Sequence, residues 1–251
     1  MTALPQAFLT APIAHRGLHG AGVPENSLAA ARAAIDAGYG IELDIQPASD
    51  GTPMVFHDDF LTRLTGQSGL ISETPLQAVQ GFRLLGSDEP VPTLAEFLEV
   101  VAGQVPLLIE IKDQDGACGP DIGDLQLQVA KALETYQGDV AMMSFNPHTV
   151  AAFHEAAPHI AVGLTTCDYR AKHWPLVPDE RRAELSAILD FDRCGASFIS
   201  HDRNTLDNPR VDALAAQGVP VLCWTVRSAE EEAAARRVAS NITFEGYSAA
   251  I

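Results

Sequence analysis

The sequence predicts an α/β fold, a closed TIM (β/α)8 barrel with a small insertion after the second strand and a short or missing eighth helix. Three observations carry this. Short, apolar, β-rich runs alternate with longer helical patterns, which implies right-handed βαβ units and a parallel sheet. Eight such runs fit within 251 residues, and a single α/β barrel runs to about 250 residues. One interval stands out: the strands starting at 41 and 106 lie 65 residues apart. An open doubly wound sheet is the alternative, and the missing glycine-rich nucleotide fingerprint argues against it only weakly. Residues 1–251 are expected to form one domain, with about 49–92 as a segment inserted within it.

Taken in order, a strand at 13–14 precedes a helix over 27–37, where Asn26 or Ser27 can cap the N-terminus and Gly38 can end it. A strand at 41–45 follows. The insertion opens with Ser49-Asp50-Gly51-Thr52, a hairpin-turn signal, then runs through Met54-Val55-Phe56-His57 into a polar, Gly/Pro-punctuated stretch over 62–92. Thr93 and Glu96 have capping-box spacing ahead of a helix over 93–101. Strands at 106–111, 140–144, 160–165, 197–200, 219–226 and 241–244 then alternate with helices over 125–136, 148–156, 179–189, 208–216 and 228–238. In a barrel the insertion sits at the C-terminal face, where active sites are built.

Composition narrows the function. With 47% hydrophobic and 20% charged residues the chain is globular. Its 16 basic residues against 33 acidic ones give a net charge of −17. That argues against bulk nucleic-acid or anionic-membrane binding, since both need a basic surface. An anionic substrate would need a local positive cluster or a bound cation. No apolar run approaches the roughly 18 residues of a membrane span, so no stable membrane insertion is expected. Cys118, Cys167, Cys194 and Cys223 lack CxxC spacing and read as buried free thiols. The first twelve residues carry neither a basic nor a long apolar signal region, so the expected location is cytoplasmic.

The alternation Ile41-Glu42-Leu43-Asp44-Ile45 puts Glu42 and Asp44 on one face of a strand, and Ile109-Glu110-Ile111-Lys112 does the same for Glu110 and Lys112. Parallel barrel strands are covered on both sides, so these acids must point into the barrel mouth, where bare carboxylates are costly. Three clustered carboxylates repel one another unless a cation lies among them, and an all-oxygen set suits Mg²⁺ or Ca²⁺. His15 ends the first strand and His57 ends the inserted one. Imidazoles suit acid–base work near neutral pH. Arg16 offers a fork for phosphoryl oxygens.

As an ordered set, His15-Arg16-Gly17, Pro24-Glu25-Asn26-Ser27, Glu42-Leu43-Asp44, Asp50-Gly51 with Val55-Phe56-His57-Asp58, and Glu110-Ile111-Lys112 resembles the glycerophosphodiester phosphodiesterase family. Ser144-Phe145 and Trp224-Thr225-Val226 fit its later part, so the resemblance runs from about 13 to 243. The resemblance implies a metal-dependent hydrolase that splits small glycerophosphodiesters into glycerol 3-phosphate and an alcohol. It implies that Glu42, Asp44 and Glu110 hold one divalent cation, Mg²⁺ or Ca²⁺, and that His15 and His57 form the acid–base pair. It implies that Arg16 and Lys112 contact the phosphate, that Glu25 and Asn26 brace the site, and that Phe145 and Trp224 line the alcohol pocket.

Two departures bear on the substrate: Arg227 follows Trp-Thr-Val, and Thr243-Phe244-Glu245-Gly246 replaces the family's usual ending. The alternative function is therefore a phospholipase D-like enzyme acting on lysophospholipids or another phosphodiester. A zinc amidohydrolase would want His-x-His on the first strand, which Ala14-His15-Arg16-Gly17 lacks. A non-catalytic binding module would have lost one of the five central residues. Water and a neighbouring substrate hydroxyl are both open as nucleophile. The oligomeric state is monomer or homodimer.

Overall fold

In the computed structural model, which describes residues 2–251, eight parallel strands close into a barrel. They are β1 (Ile13–Ala14), β2 (Gly40–Pro47), β4 (Leu107–Ile111), β5 (Val140–Ser144), β6 (Ala161–Thr166), β7 (Phe198–Asp202), β8 (Val221–Val226) and β9 (Asn241–Phe244). Neighbours pair in parallel from β2 through β9, and β1 joins both ends, Ile13 standing opposite Gly40 on one side and Thr243 on the other. A ninth strand, β3 (Pro53–Val55), runs antiparallel along the C-terminal end of β2. Helices α1 (Leu28–Ala37), α4 (Leu94–Val101), α5 (Leu125–Leu133), α6 (Pro147–Ala156), α7 (Asp179–Ser186), α8 (Pro209–Ala216) and α9 (Ala229–Ala235) connect the strands. No helix follows β9; the tail instead packs back, with the Tyr39 hydroxyl donating to the Ala249 carbonyl at 2.7 Å.

Local chemistry accounts for these boundaries. Ser27 caps α1 by accepting from the Ala30 amide, and Gly38 ends it with φ 77°. Asn26 is thus freed for another task. The Thr93–Glu96 capping box opens α4. The helix expected over 179–189 stops at Ser186, and Ile188 turns left-handed at φ 51°. The insertion is less polar than its sequence reads. It folds as β3, α2 (Thr62–Thr65) and α3 (Leu76–Gly81) around its own cluster of Met54, Phe56, Leu61, Leu64, Ile71 and Val79. Those apolar residues are too scattered to show a period, yet they meet when the segment coils on itself.

Two apolar layers build the barrel. Ile41, Leu43 and Ile45 of β2 face the helices, together with Leu107, Ile109 and Ile111 of β4. Inside, a floor of Ile13, Leu108, Ala141, Ala161, Phe198 and Leu222 is plugged by Phe8, from a short 3₁₀ turn at Gln6–Leu9. The fully buried Asn241 side chain ties that turn down, donating to the carbonyls of Phe8 at 2.8 Å and Ala11 at 2.6 Å. At Gly163 a Cβ would lie 2.4 Å from the Phe198 ring, so only glycine fits there. Phe8→Ala empties the plug and is expected to cost about 3–5 kcal/mol. The urea midpoint checks this, and a loss below about 1 kcal/mol would show that the floor closes without it. No helix among the described residues is long and apolar enough to cross a membrane. The four cysteines are free and buried.

Candidate active site

Strand periodicity delivers the acids. On β2, Glu42 and Asp44 share the inward face, and Asp44 stands opposite Glu110 in the β2–β4 register. All three are buried, and one carboxylate oxygen from each lies within 4.8 Å of the others. Two side-chain cations, a backbone amide and a side-chain amide surround them. Lys112 Nζ reaches Asp44 Oδ1 at 2.6 Å and also pairs with Glu110. Arg16 Nε lies 3.2 Å from Asp44 Oδ2, and its backbone amide donates to Glu42 Oε2 at 3.0 Å. Asn26 Nδ2 donates to Asp44 Oδ2 at 2.9 Å. Burial raises the Asp44 carboxyl, but Lys112, His57 and Arg16 outweigh it and hold it far below the usual range. Burial, reinforced by Asp44 and Glu110, drives Glu42 well above its ordinary value. Three buried carboxylates thus face two side-chain cations. A divalent cation on this oxygen-only donor set would discharge the excess, so the residues fit such an ion.

The loop after β1 shapes one wall. Arg16 is left-handed at φ 56°, and Gly17 follows at φ 77° where a Cβ would meet the Ala30 Cβ at 2.8 Å. The turn swings Arg16 back over β2 and aims its Nη1 at Glu25 Oε1, 2.6 Å away.

His15 and His57 are each anchored through Nδ1 by a carboxylate. His57 pairs with Asp58 Oδ1 at 2.7 Å, and His15 with Glu245 Oε2 at 2.6 Å. The carboxylates fix the Nδ1–H tautomer and leave Nε2 as the free nitrogen. For His15 that nitrogen lies 3.9 Å from Glu42 Oε2, beside the acidic cluster. Burial pushes the His15 pKa down and so favours the neutral ring, outweighing the Glu245 hydrogen bond, which pulls the pKa up. Glu245 is itself held far below the usual carboxylate range, chiefly by its bond to His15, and Arg227 grips its other oxygen through Nε at 2.8 Å and Nη2 at 2.7 Å.

A second brace comes from the insertion. Arg63 on α2 bonds Glu25 through Nη1 and Nη2, both at 2.9 Å, and Asp58 through Nε at 2.6 Å and Nη2 at 2.8 Å. Arg16, Glu25, Arg63, Asp58 and His57 therefore form one chain of ion pairs. Asp58 and Glu25 both have depressed folded pKa values, with the Arg63 bonds among the causes. Their stabilisation is present above the unfolded carboxyl pKa, about 4, and is lost as pH falls below it. Arg63 is 47% exposed, so Arg63→Met should cost only about 1 kcal/mol at pH 7. That difference should shrink progressively as pH falls below about 4 in thermal melts; a difference that stays constant from pH 7 down to pH 3 would mean packing, not charge.

These groups open into a cleft of about 730 Å³ at the C-terminal ends of the strands, lined also by Phe145, Trp174 and Trp224. Phe145 packs against both tryptophans, with ring centroids 4.9 and 5.6 Å away. Trp224 Nε1 donates to the Ser200 carbonyl at 3.0 Å, which fixes that wall. The structure thus brings together His15, His57, Glu42, Asp44, Glu110, Arg16 and Lys112 as one polar half and Phe145 and Trp224 as an apolar half, with Glu25 and Asn26 behind. Arg16 and Lys112, expected on the phosphate, are paired here with the acids. Sequence reading missed Trp174, which lies in an aperiodic loop, and the bracing by Arg63 and Glu245. Only Glu245 left a trace, as a departure at the end of the last strand.

The model of the Glycerophosphoryl diester phosphodiesterase family matches residues 15–241. A glycerophosphodiester phosphodiesterase of Caldanaerobacter subterraneus is 33% identical over 167 residues, covering 62% of this chain and 66% of that protein, just under two thirds of its length. Glycerophosphodiester phosphodiesterase 1 of Rattus norvegicus is 26% identical over 246 residues, covering 88% of this chain and 72% of the other. A phosphodiesterase from Oleispira antarctica, solved with the product sn-glycerol-3-phosphate, superposes with a TM-score of 0.76 at 25% identity over 95% of this chain and 94% of that one.

Proposed function

The chain belongs to the glycerophosphoryl diester phosphodiesterase family, and on that premise we propose that it hydrolyses a glycerophosphodiester to glycerol 3-phosphate and an alcohol. The observation that carries this reading is the pairing of two carboxylate-anchored imidazoles with a buried three-carboxylate cluster in one cleft. The product held by the Oleispira protein supports the substrate class.

Glu42, Asp44 and Glu110 would hold the divalent cation, Mg²⁺ or Ca²⁺. Bound there, the ion supplies Lewis-acid stabilisation of phosphoryl oxygen charge. Arg16 and Lys112 add positive charge on the same side. His15, neutral and fixed by Glu245, accepts the nucleophile's proton at Nε2. The nucleophile is water or the hydroxyl next to the phosphate. His57, entering the cycle as the imidazolium with Nδ1–H held by Asp58, donates its Nε2 proton to the departing alkoxide, which is too basic to leave bare. Phe145, Trp174 and Trp224 exclude water from the apolar side and pack the carbon skeleton.

The test is turnover across a panel of glycerophosphodiesters and lysophospholipids. Release of glycerol 3-phosphate from the first group supports the proposal, and cleavage confined to lysophospholipids overturns it. Glu245→Gln keeps the shape but loses the charge that sets the His15 tautomer. It is expected to lower kcat about 10²-fold, the low end for a positioned acid–base group, with KM little changed. A fall in KM-dependent binding alone would move Glu245 out of this role.

A further inference from the structure

His19 takes no part in that chemistry. It lies in the loop after β1, where its backbone amide donates to the Gly17 carbonyl at 2.9 Å and Gly20 and Val23 close a tight antiparallel bridge. Its Nε2 is buried without a hydrogen-bond partner. The nearby Glu245 Oε2, at 3.6 Å, is too far for one. That same oxygen takes His15 Nδ1 at 2.6 Å. Two imidazole nitrogens and one carboxylate oxygen thus converge, all within 4.8 Å of one another. The His15, His19 and Glu245 side chains are 13, 25 and 20% exposed, so the cluster lies near the surface although His19 Nε2 itself is covered. Arg227 occupies only Oε1 of Glu245 and leaves Oε2 to the cluster.

This donor set differs in kind from the neighbouring one. Glu42, Asp44 and Glu110 offer oxygen alone, which suits hard cations. Two imidazoles and a carboxylate, with a fourth position open, suit a borderline transition ion such as Zn²⁺. We propose that His15, His19 and Glu245 form a second, transition-metal site whose occupation switches the enzyme off. The ion takes the lone pair at His15 Nδ1, and the proton that stood there moves through solvent to Nε2. The ring stays neutral, and the Nδ1–H···Glu245 hydrogen bond gives way to contacts of both groups with the ion. Nε2 now carries a hydrogen and cannot accept one from a nucleophile. Inhibition therefore falls on kcat and leaves KM in place. The inhibitory consequence rests on the role of His15 proposed above, whereas the binding does not.

Zinc titrated calorimetrically into protein saturated with Mg²⁺ or Ca²⁺ should bind at one equivalent, and Co²⁺ at the same place should show the visible absorption of a four-coordinate, nitrogen-bearing site. His19→Ala should weaken zinc more than about 10-fold, the least expected from losing a direct ligand when outer partners alone cost about 10–100-fold. It should leave zinc-free turnover and the thermal midpoint unchanged, and its turnover should tolerate zinc that stops the parent. Zinc binding that His19→Ala spares and Glu110→Gln removes assigns the ion to the carboxylates and overturns the proposal. So does an absence of zinc binding at saturating Mg²⁺. Should the chain turn over no glycerophosphodiester, the calorimetric and cobalt readings still decide the site.

Discussion

His57→Ala should lower kcat on glycerophosphocholine by about 10²–10⁴-fold, the span of a positioned general acid, and should spare an ester with an activated aryl leaving group. The choline alkoxide needs a proton as the P–O bond breaks, whereas an aryl oxide leaves unaided. His57 stands two residues past the end of the inserted strand at Val55, not on it as the sequence suggests, and is anchored by Asp58 at 2.7 Å and by Arg63 beyond it. His15→Ala should hurt both esters alike, because both need an activated nucleophile. Steady-state kinetics on the two esters separate the roles. Equal losses from His57→Ala on both would remove it as the acid, and a selective loss from His15→Ala would exchange the assignments.

Chelation of divalent cations should abolish turnover, and Mg²⁺ or Ca²⁺ should restore it. The same ion should raise the thermal midpoint. At 100 times its dissociation constant the ligand adds about 2.7 kcal/mol, which for a chain of this length is about 5–11 °C. Glu42→Gln should erase both the activity and the shift. Yet in chelator the variant should melt above the parent, because one of three crowded, buried carboxylates is gone. Stability and function then move in opposite directions at one residue, as expected where a site stores repulsion for a ligand to relieve. Full turnover in the chelated protein, or an ion-dependent shift that survives Glu42→Gln, would refute the carboxylate cluster as the cation's seat.

Much of this was legible because strands write their geometry into sequence. A period of two puts Glu42 and Asp44 on one face, and the same alternation flags Glu110. Helix ends were legible for the same local reason, as Thr93–Glu96 and Gly38 show. Partners far apart in sequence were not. Nothing near residue 245 announces His15, and nothing near Arg63 announces Glu25 and Asp58 at once. The insertion's core escaped notice because Leu64, Ile71 and Val79 share no period and become a cluster only after the segment folds on itself. Asn26 could serve as cap or brace by type alone, and only the presence of Ser27 beside it decides between them.

The barrel closes where the two-residue strand β1 meets β9, through only the pairs Ile13–Thr243 and Ala14–Phe244. His15 and Glu245 stand on opposite sides of that junction, 230 positions apart along the chain. Contacts of such sequence separation are slow to form. Recovery of activity during refolding should therefore lag the return of helical signal, because the imidazole is oriented only once the first and last strands have met. The dyad makes turnover a clock for ring closure, and a chain that is helical but still open at this junction would be silent in an assay.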